Sequence, residues 1–226
     1  MSEIGINEIF EICGASIYNI DKSAVVGRKF NISIDSRSIK KGDVYWAVPG
    51  ERFDGHEFVQ DALQKKAAFC VVQENRLKKR EKPAYPCAAI PDSITGLQEL
   101  GRIHRSLFDI PVLALTGSNG KTTTKEMTAH ILGSRLNVHK TSGNFNNHIG
   151  CPLTLLELNT AHQAAVIELG TNHPGEISVL TRTALPNHAL ITNAAVHILN
   201  FSRQMKPLPV KNAICSWRWK TAGLFT

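Results

Sequence analysis

Apolar residues in the first hundred positions come in short runs separated by amphipathic stretches. Residues 30–34 and 44–48 read as strands, and residues 57–66 place Phe58, Val59 and Ala62 at helical spacing. Residues 68–72 and 87–90 are two further strand candidates. Between them, residues 75–86 are rich in Lys, Arg and Pro and read as a solvated loop. A helix is expected over 93–107, where Ile94, Leu97, Leu100 and Ile103 share one face. Alternation of this kind predicts an α/β domain. Near Asp109 the chain leaves that helix for an apolar strand at 112–115, so a domain boundary is expected there. A second α/β unit follows, with a helix over 121–132, a polar loop over 141–150, and strands at 164–169 and 189–192. No internal repeat or low-complexity segment is evident.

The turn between the 112–115 strand and the next helix carries the strongest chemical signal. It reads Thr116-Gly117-Ser118-Asn119-Gly120-Lys121-Thr122-Thr123. Backbone N–H groups of such a loop can converge on one concavity, and the helix that follows adds its positive dipole end, so the loop suits a polyphosphate. Lys121 would reach the terminal phosphates of ATP and Thr122 would bind Mg²⁺. The match to G-x-x-x-x-G-K-[ST] is incomplete, because Leu115 stands at the first glycine position. An inert glycine-rich turn is the competing reading, and the G-K-T-T core after a buried strand argues against it.

Two further segments gain meaning beside this loop. Residues 141–152 gather Asn144, Asn146, Asn147 and His148 around Gly143 and Gly150, and Glu168 ends a hydrophobic strand. Ligands of open parallel sheets bind beyond the C-terminal strand ends, which makes Glu168 a candidate metal ligand near the phosphate loop.

Composition changes this picture little. Apolar residues are 42% and charged residues 20%, values of a soluble globular chain. No apolar run approaches a membrane span, and the first residues are acidic where a signal peptide would be basic, so a cytoplasmic protein without a membrane partner is expected. A net charge of +7 raises the question of a nucleic-acid partner, but Arg203, Lys206, Lys211, Arg218 and Lys220 fall in a segment, 195–226, that has no acidic residue. The surplus belongs to that tail, and no nucleic-acid partner is expected. Cys13, Cys70, Cys87, Cys151 and Cys215 are scattered and never form C-x-x-C, so they are expected to be buried free thiols.

The phosphate loop, the T-S-G-N-F-N-N-H-I-G-C-P-L stretch from Thr141, and E-L-G-T-N followed by P-G-E-I together resemble the central ATPase domain of the Mur ligases. Upstream, Asp35-Ser36-Arg37, Lys41-Gly42-Asp43 and the Gly50, Arg52, Asp54, Gly55, His56 segment resemble that family's domain for the UDP-muramoyl substrate. The 170–177 segment is most similar to the D-alanyl-D-alanine-adding type. The resemblance implies a substrate domain at 1–108 and a truncated parallel-sheet ATPase domain with a P-loop at 109–193. It also implies a monomer that joins D-alanyl-D-alanine to UDP-muramoyl-tripeptide through an acyl phosphate, using ATP and Mg²⁺. Under it Thr116 to Thr123 bind ATP, Thr122 and Glu168 hold the metal, and Lys121, Asn144, Asn147 and His148 lie at the reacting groups. Ser36, Arg37, Gly50, Arg52, Asp54 and His56 contact the uridine nucleotide.

The pattern breaks after Asn193. The family continues with an aliphatic residue and Gly-x-Ala-His-Leu-Glu, whereas this chain reads Ala194-Ala195-Val196-His197-Ile198-Leu199-Asn200. Loss of one base in the codon after Asn193 would account for this, since codons permitted by 194–200 can spell the family motif in the restored frame; the competing reading is a genuine short variant with a divergent basic tail. An aberrant tail over 194–226 and an inactive fragment are therefore expected. The rival readings are a related ligase such as a folylpolyglutamate synthase, and a non-catalytic nucleotide-binding remnant.

Overall fold

The computed structural model describes residues 5–50, 53–77, 82–171 and 173–193. Arg52 and the 194–226 tail, on which two of the expectations above rest, lie outside the described residues.

Helix α1 (Ile6–Cys13) and strand β1 (Ser16–Tyr18) open the chain, followed by a short α2 (Lys22–Val25), β2 (Ile32–Ser33) and β3 (Val44–Trp46). Next come α3 (Val59–Gln64), β4 (Phe69–Gln73), β5 (Cys87–Ile90) and α4 (Ser93–Ser106). These strands form a five-stranded sheet in the order β1-β5-β4-β3-β2, parallel throughout except for β1 against β5. β3, β4 and β5 are buried at every position, as expected of parallel strands covered on both faces. The helix expected over 57–66 is divided. Gly55–Phe58 forms a 3₁₀ turn capped by the Asp54 carboxylate, and only Val59–Gln64 is α-helical.

The second unit runs β6 (Val112–Thr116), α5 (Lys121–Gly133), β7 (Val138–Lys140), α6 (Gly150–Leu156), β8 (Ala164–Glu168), α7 (Glu176–Ala184) and β9 (His188–Ile191). Its four-stranded sheet is wholly parallel, in the order β7-β8-β6-β9. β6 and β8 lie at its centre, and both end beside the phosphate loop. β9 is exposed along its length.

Helix α4 joins the two units. Its Asp92 cap accepts from Thr95 N, and its Leu97 and Leu100 sit in the first core with Trp46, Phe69 and Ile90. At Gly101 a side chain would meet the Pro152 backbone at 2.9 Å, so glycine permits α6 to approach closely. Leu156 of α6 is part of the first core, and Ile149 and Leu153 pack against it. Arg105, at the end of α4, donates to the carbonyls of Phe108 and Leu185, tying the connection to the end of α7.

Cys70, Cys87 and Cys151 are buried free thiols and Cys13 is half-buried. Burial pushes Cys70 and Cys151 up to about 12, which leaves them weak nucleophiles. No helix among the described residues is long and apolar enough to cross a membrane.

Candidate nucleotide site

The loop between β6 and α5 turns on two glycines with positive φ, Gly117 at 144° and Gly120 at 79°. A Cβ at Gly117 would lie 2.1 Å from Thr192 Oγ1, so the loop can pass the end of β9 only without a side chain there. Gly120 precedes α5 in the left-handed conformation and supplies no side-chain cap. The positive end of α5 therefore faces the loop, as an anion site requires. Lys121 curls over it, donating to Gly117 O at 2.6 Å and Ser118 O at 3.4 Å. Two loop N–H groups are engaged by Asn193: Ser118 N donates to its carbonyl at 3.2 Å and Asn119 N to its Oδ1 at 2.9 Å. Thr192 Oγ1 donates to Asn119 O at 2.6 Å, and Thr116 Oγ1 to Leu169 O at 2.8 Å. Thr123 is exposed on the first turn of α5.

Glu168, at the end of β8, is 2% exposed. Thr122 Oγ1 approaches its two carboxylate oxygens at 3.1 and 3.3 Å, and Asn146 Nδ2 donates to Oε1 at 2.8 Å. Its own N–H donates to Thr141 Oγ1. Asn146 is held in turn, because its carbonyl accepts from Gly170 N at 2.8 Å. Any side chain at Gly170 would collide with the Asn146 amide. A hydroxyl and a carboxylate side by side at a phosphate loop are hard oxygen donors, and they fit Mg²⁺, which keeps several waters and takes few protein ligands. Among the described residues no cluster of three or more His, Cys, Asp or Glu suits a metal that needs a full protein cage.

The expected residues of the 141–150 loop divide differently from the sequence reading. Asn146, grouped with its neighbours in the sequence but given no role of its own, reaches Glu168, whereas Asn144 is exposed and Asn147 Oδ1 accepts from Ile149 N and Gly150 N at the start of α6. His148 contributes a carbonyl that accepts from Gln98 Nε2 of α4. Thr141, Lys125, Thr192 and Asn193 also belong to the site and were missed. Their side chains are ordinary in composition, and they come together only because α5, the segment after β7 and the segment after β9 meet around the ends of β6 and β8.

In the first unit, Arg37 is exposed and forks onto the Asp35 carboxylate at 2.8 and 2.9 Å, holding that group below the usual carboxylate range. Ser36 is buried, and its carbonyl accepts from Lys65 Nζ. His56 is committed internally. Its Nε2 accepts from Gln73 N at 2.9 Å, so Nδ1 carries the hydrogen and donates to Asp54 Oδ1 at 2.5 Å. Asp54 also pairs with Arg76 at 2.9 Å. Gly50 N donates to Phe53 O, closing the turn before the 3₁₀ helix. A cavity of about 600 Å³ opens between the edge of the first sheet and the second unit, lined among others by Ser33, Asp35, Ser38, Asp43, Phe145 and Glu157. Ser36, Arg37, Gly50, Asp54 and His56 are not part of its lining.

Comparison with known proteins matches two family models, the Mur ligase family catalytic domain over residues 30–97 and the Mur ligase middle domain over residues 115–213. The chain belongs to the Mur ligase family. The middle-domain match covers the phosphate loop, Asn146 and Glu168 together, and runs on past Asn193. Among relatives of this Mur ligase chain, the UDP-N-acetylmuramoyl-tripeptide--D-alanyl-D-alanine ligase of Bacillus subtilis is 40% identical over 162 residues, which are 72% of this chain and 35% of that protein. The Escherichia coli enzyme of the same name is 39% identical, over 75% of this chain and 37% of its own. A crystal structure of MurF from Acinetobacter baumannii superposes with a TM-score of 0.73 at 34% identity, covering 83% of this chain and 40% of that one. MurF ligase from Thermotoga maritima in complex with ADP gives 0.64 at 33% identity, over 73% and 37%. The chain thus spans 35% and 37% of the length of these two curated relatives.

Proposed function

We propose that this chain carries the nucleotide and substrate sites of an ATP-dependent ligase that adds D-alanyl-D-alanine to UDP-N-acetylmuramoyl-tripeptide in the cytoplasm. One observation carries the reading: Thr122, at the start of α5, meets the buried Glu168 beside a glycine-turned phosphate loop, in a chain whose relatives bear that name. We retain a boundary near residue 108 between a substrate unit and an ATPase unit, with 194–226 as a separate basic tail.

In this reading the tripeptide carboxylate attacks the γ-phosphorus of ATP, ADP leaves, and the dipeptide amine displaces phosphate from the acyl phosphate. Attack by one anion on another is slow unless charge is neutralised, so fixed donors matter most. Lys121 would exchange the Gly117 carbonyl for phosphate oxygens. Ser118 and Asn119 N–H groups would turn from Asn193 to phosphate. Thr122 and Glu168 would hold Mg²⁺, which supplies Lewis-acid neutralisation of the phosphate oxygens. The 600 Å³ cavity is of ligand size and runs from β2 to Phe145, next to Asn146. It supports a substrate anchored on the first sheet with its reacting end near Glu168.

Calorimetric titration of the chain with ADP and Mg²⁺ tests the nucleotide half. Lys121→Ala should abolish measurable binding, since the phosphates lose their one mobile cation from the loop. Equal affinity in parent and variant would remove the assignment.

A further inference from the structure

Lys125 is the least expected side chain near this site. It lies one turn after Thr122 on α5, with its side chain 1% exposed. The next buried residue of the helix is apolar: Ala129, one turn further on, packs with Leu115 and Val166. An aliphatic residue would fill the position without the cost of removing an ammonium group from water. What compensates Lys125 is acidic. Its Nζ lies 3.2 Å from Glu126 Oε1 and 3.6 Å from Glu168 Oε2. Glu126 is shared with Lys140 at the surface, so it is already partly neutralised. Glu168 is as buried as Lys125, and its other partners, Thr122 and Asn146, carry no charge.

We infer that Lys125 is a built-in counter-charge to Glu168 that keeps free Mg²⁺ off this carboxylate and makes metal binding depend on the phosphates of the nucleotide. The inference rests on the reading of Glu168 as a metal ligand. A lone buried carboxylate beside a hydroxyl attracts any divalent cation. With a fixed positive charge behind it, the pair presents little net charge, and a divalent cation gains enough only when polyphosphate adds its own negative charge in front. Lys125 is thus a positioning residue. It touches neither substrate nor reacting atoms, and it acts through Glu168.

The test compares the parent chain with Lys125→Met, Glu168→Gln and the double variant, by thermal melting with EDTA, with Mg²⁺ alone and with Mg²⁺ plus ADP. In EDTA, Lys125→Met should melt several degrees below the parent, and most of that loss should vanish in the Glu168→Gln background. Mg²⁺ alone should leave the parent unmoved and raise the Tm of Lys125→Met, an effect the double variant lacks. If Lys125→Met fails to fold but the double variant folds, the pairing is supported; if both fail, Lys125 serves packing and the inference falls. A Lys125→Met chain as indifferent to free Mg²⁺ as the parent also overturns it. Should the parent show no response to Mg²⁺ plus ADP, the nucleotide reading fails by itself, while the response to Mg²⁺ alone still decides the role of Lys125.

Discussion

Asn146 and Asn147 are adjacent yet serve different structures. Asn146 donates to the buried Glu168 carboxylate at 2.8 Å, whereas Asn147 accepts from two N–H groups at the start of α6. Their substitutions should therefore register in different measurements. Hydrogen bonds to charged groups contribute about 1.5–3 kcal/mol, so Asn146→Ala should weaken Mg²⁺–ADP binding by about tenfold or more in calorimetric titration. Asn147→Ala removes a cap at a cost of about 1 kcal/mol, and its effect should be seen in a lower denaturant midpoint. An Asn146 variant with parental affinity would mean that Thr122 and Lys125 alone fix Glu168. From sequence the three asparagines of this loop are equivalent. The inward turn of Asn146 is visible only in the fold, where the missing Cβ of Gly170 leaves room for its amide.

At the scale of elements, β3 to β6 and β8 were legible because parallel strands buried on both faces leave continuous apolar runs. Helices α3 to α5 were legible from their spacing or from the motif before them. Helix α6 was not, since Gly150, Cys151, Pro152, Thr154, Leu155 and Leu156 are all buried and leave no polar face to mark a period. Strand β7 is three residues long with His139 in its centre, too short and too polar to stand out. Helix α7 opens inside the P-G-E-I segment behind Gly175, which offers no capping side chain to mark a helix start.

β7 nonetheless gives the fold a pH dependence. His139 is buried with Nε2 2.7 Å from Thr154 O, and burial lowers its pKa from the usual 6.5. His162, whose ring centroid lies 4.8 Å away, is lowered by burial and by His139. Unfolding lets both rings take up protons more readily, so their contribution is complete above 6.5 and is lost as pH falls from there toward the folded values. Half-burial raises Glu157, which acts in the opposite sense closer to its ordinary 4.5. The chain should melt lower at about pH 5.5 than at about pH 7.5, and His139→Gln should flatten that difference. An unaltered pH slope in the variant would clear His139 of the effect. The phosphate loop and β9 form a second coupled element. Gly117→Ala sets a Cβ against Thr192 Oγ1 and the Asn193 carbonyl at a φ that disfavours side chains. Strain of about 1–3 kcal/mol should displace the loop and cost nucleotide affinity to a similar degree, read by the same titration.

For the whole molecule the question is how far residues 1–108 stand alone. They contain the complete five-stranded sheet, and most of the first core, from Ile9 to Leu100, lies within them. That core does not close on itself, however. Leu156, 4% exposed, belongs to it, Ile149 and Leu153 pack against it, and α4 meets α6 at the Gly101–Pro152 contact. Arg105 adds a bond to the Leu185 carbonyl across the same interface. A segment cut at 108 keeps its hydrogen-bonded sheet but exposes the apolar face of α4 that α6 covers. Burying a leucine or isoleucine side chain contributes about 1.5–3 kcal/mol, so the loss of one full and two partial contacts should cost the segment about 3–5 kcal/mol. Marginal domains hold only about 5–15 kcal/mol in all. We therefore expect residues 1–108 to fold cooperatively but with a urea midpoint well below that of the same sheet in the full chain carrying Trp217→Phe and Trp219→Phe, so that Trp46 fluorescence alone is followed in both. Trp46 suits this role because it is fully buried in the first core and its indole N–H donates to Ser93 O at 2.8 Å. Equal midpoints would show that α6 only rests on the first unit, whereas a segment without a cooperative transition would show that the two sheets fold as one body and that the boundary near residue 108 marks a change of sheet rather than of domain.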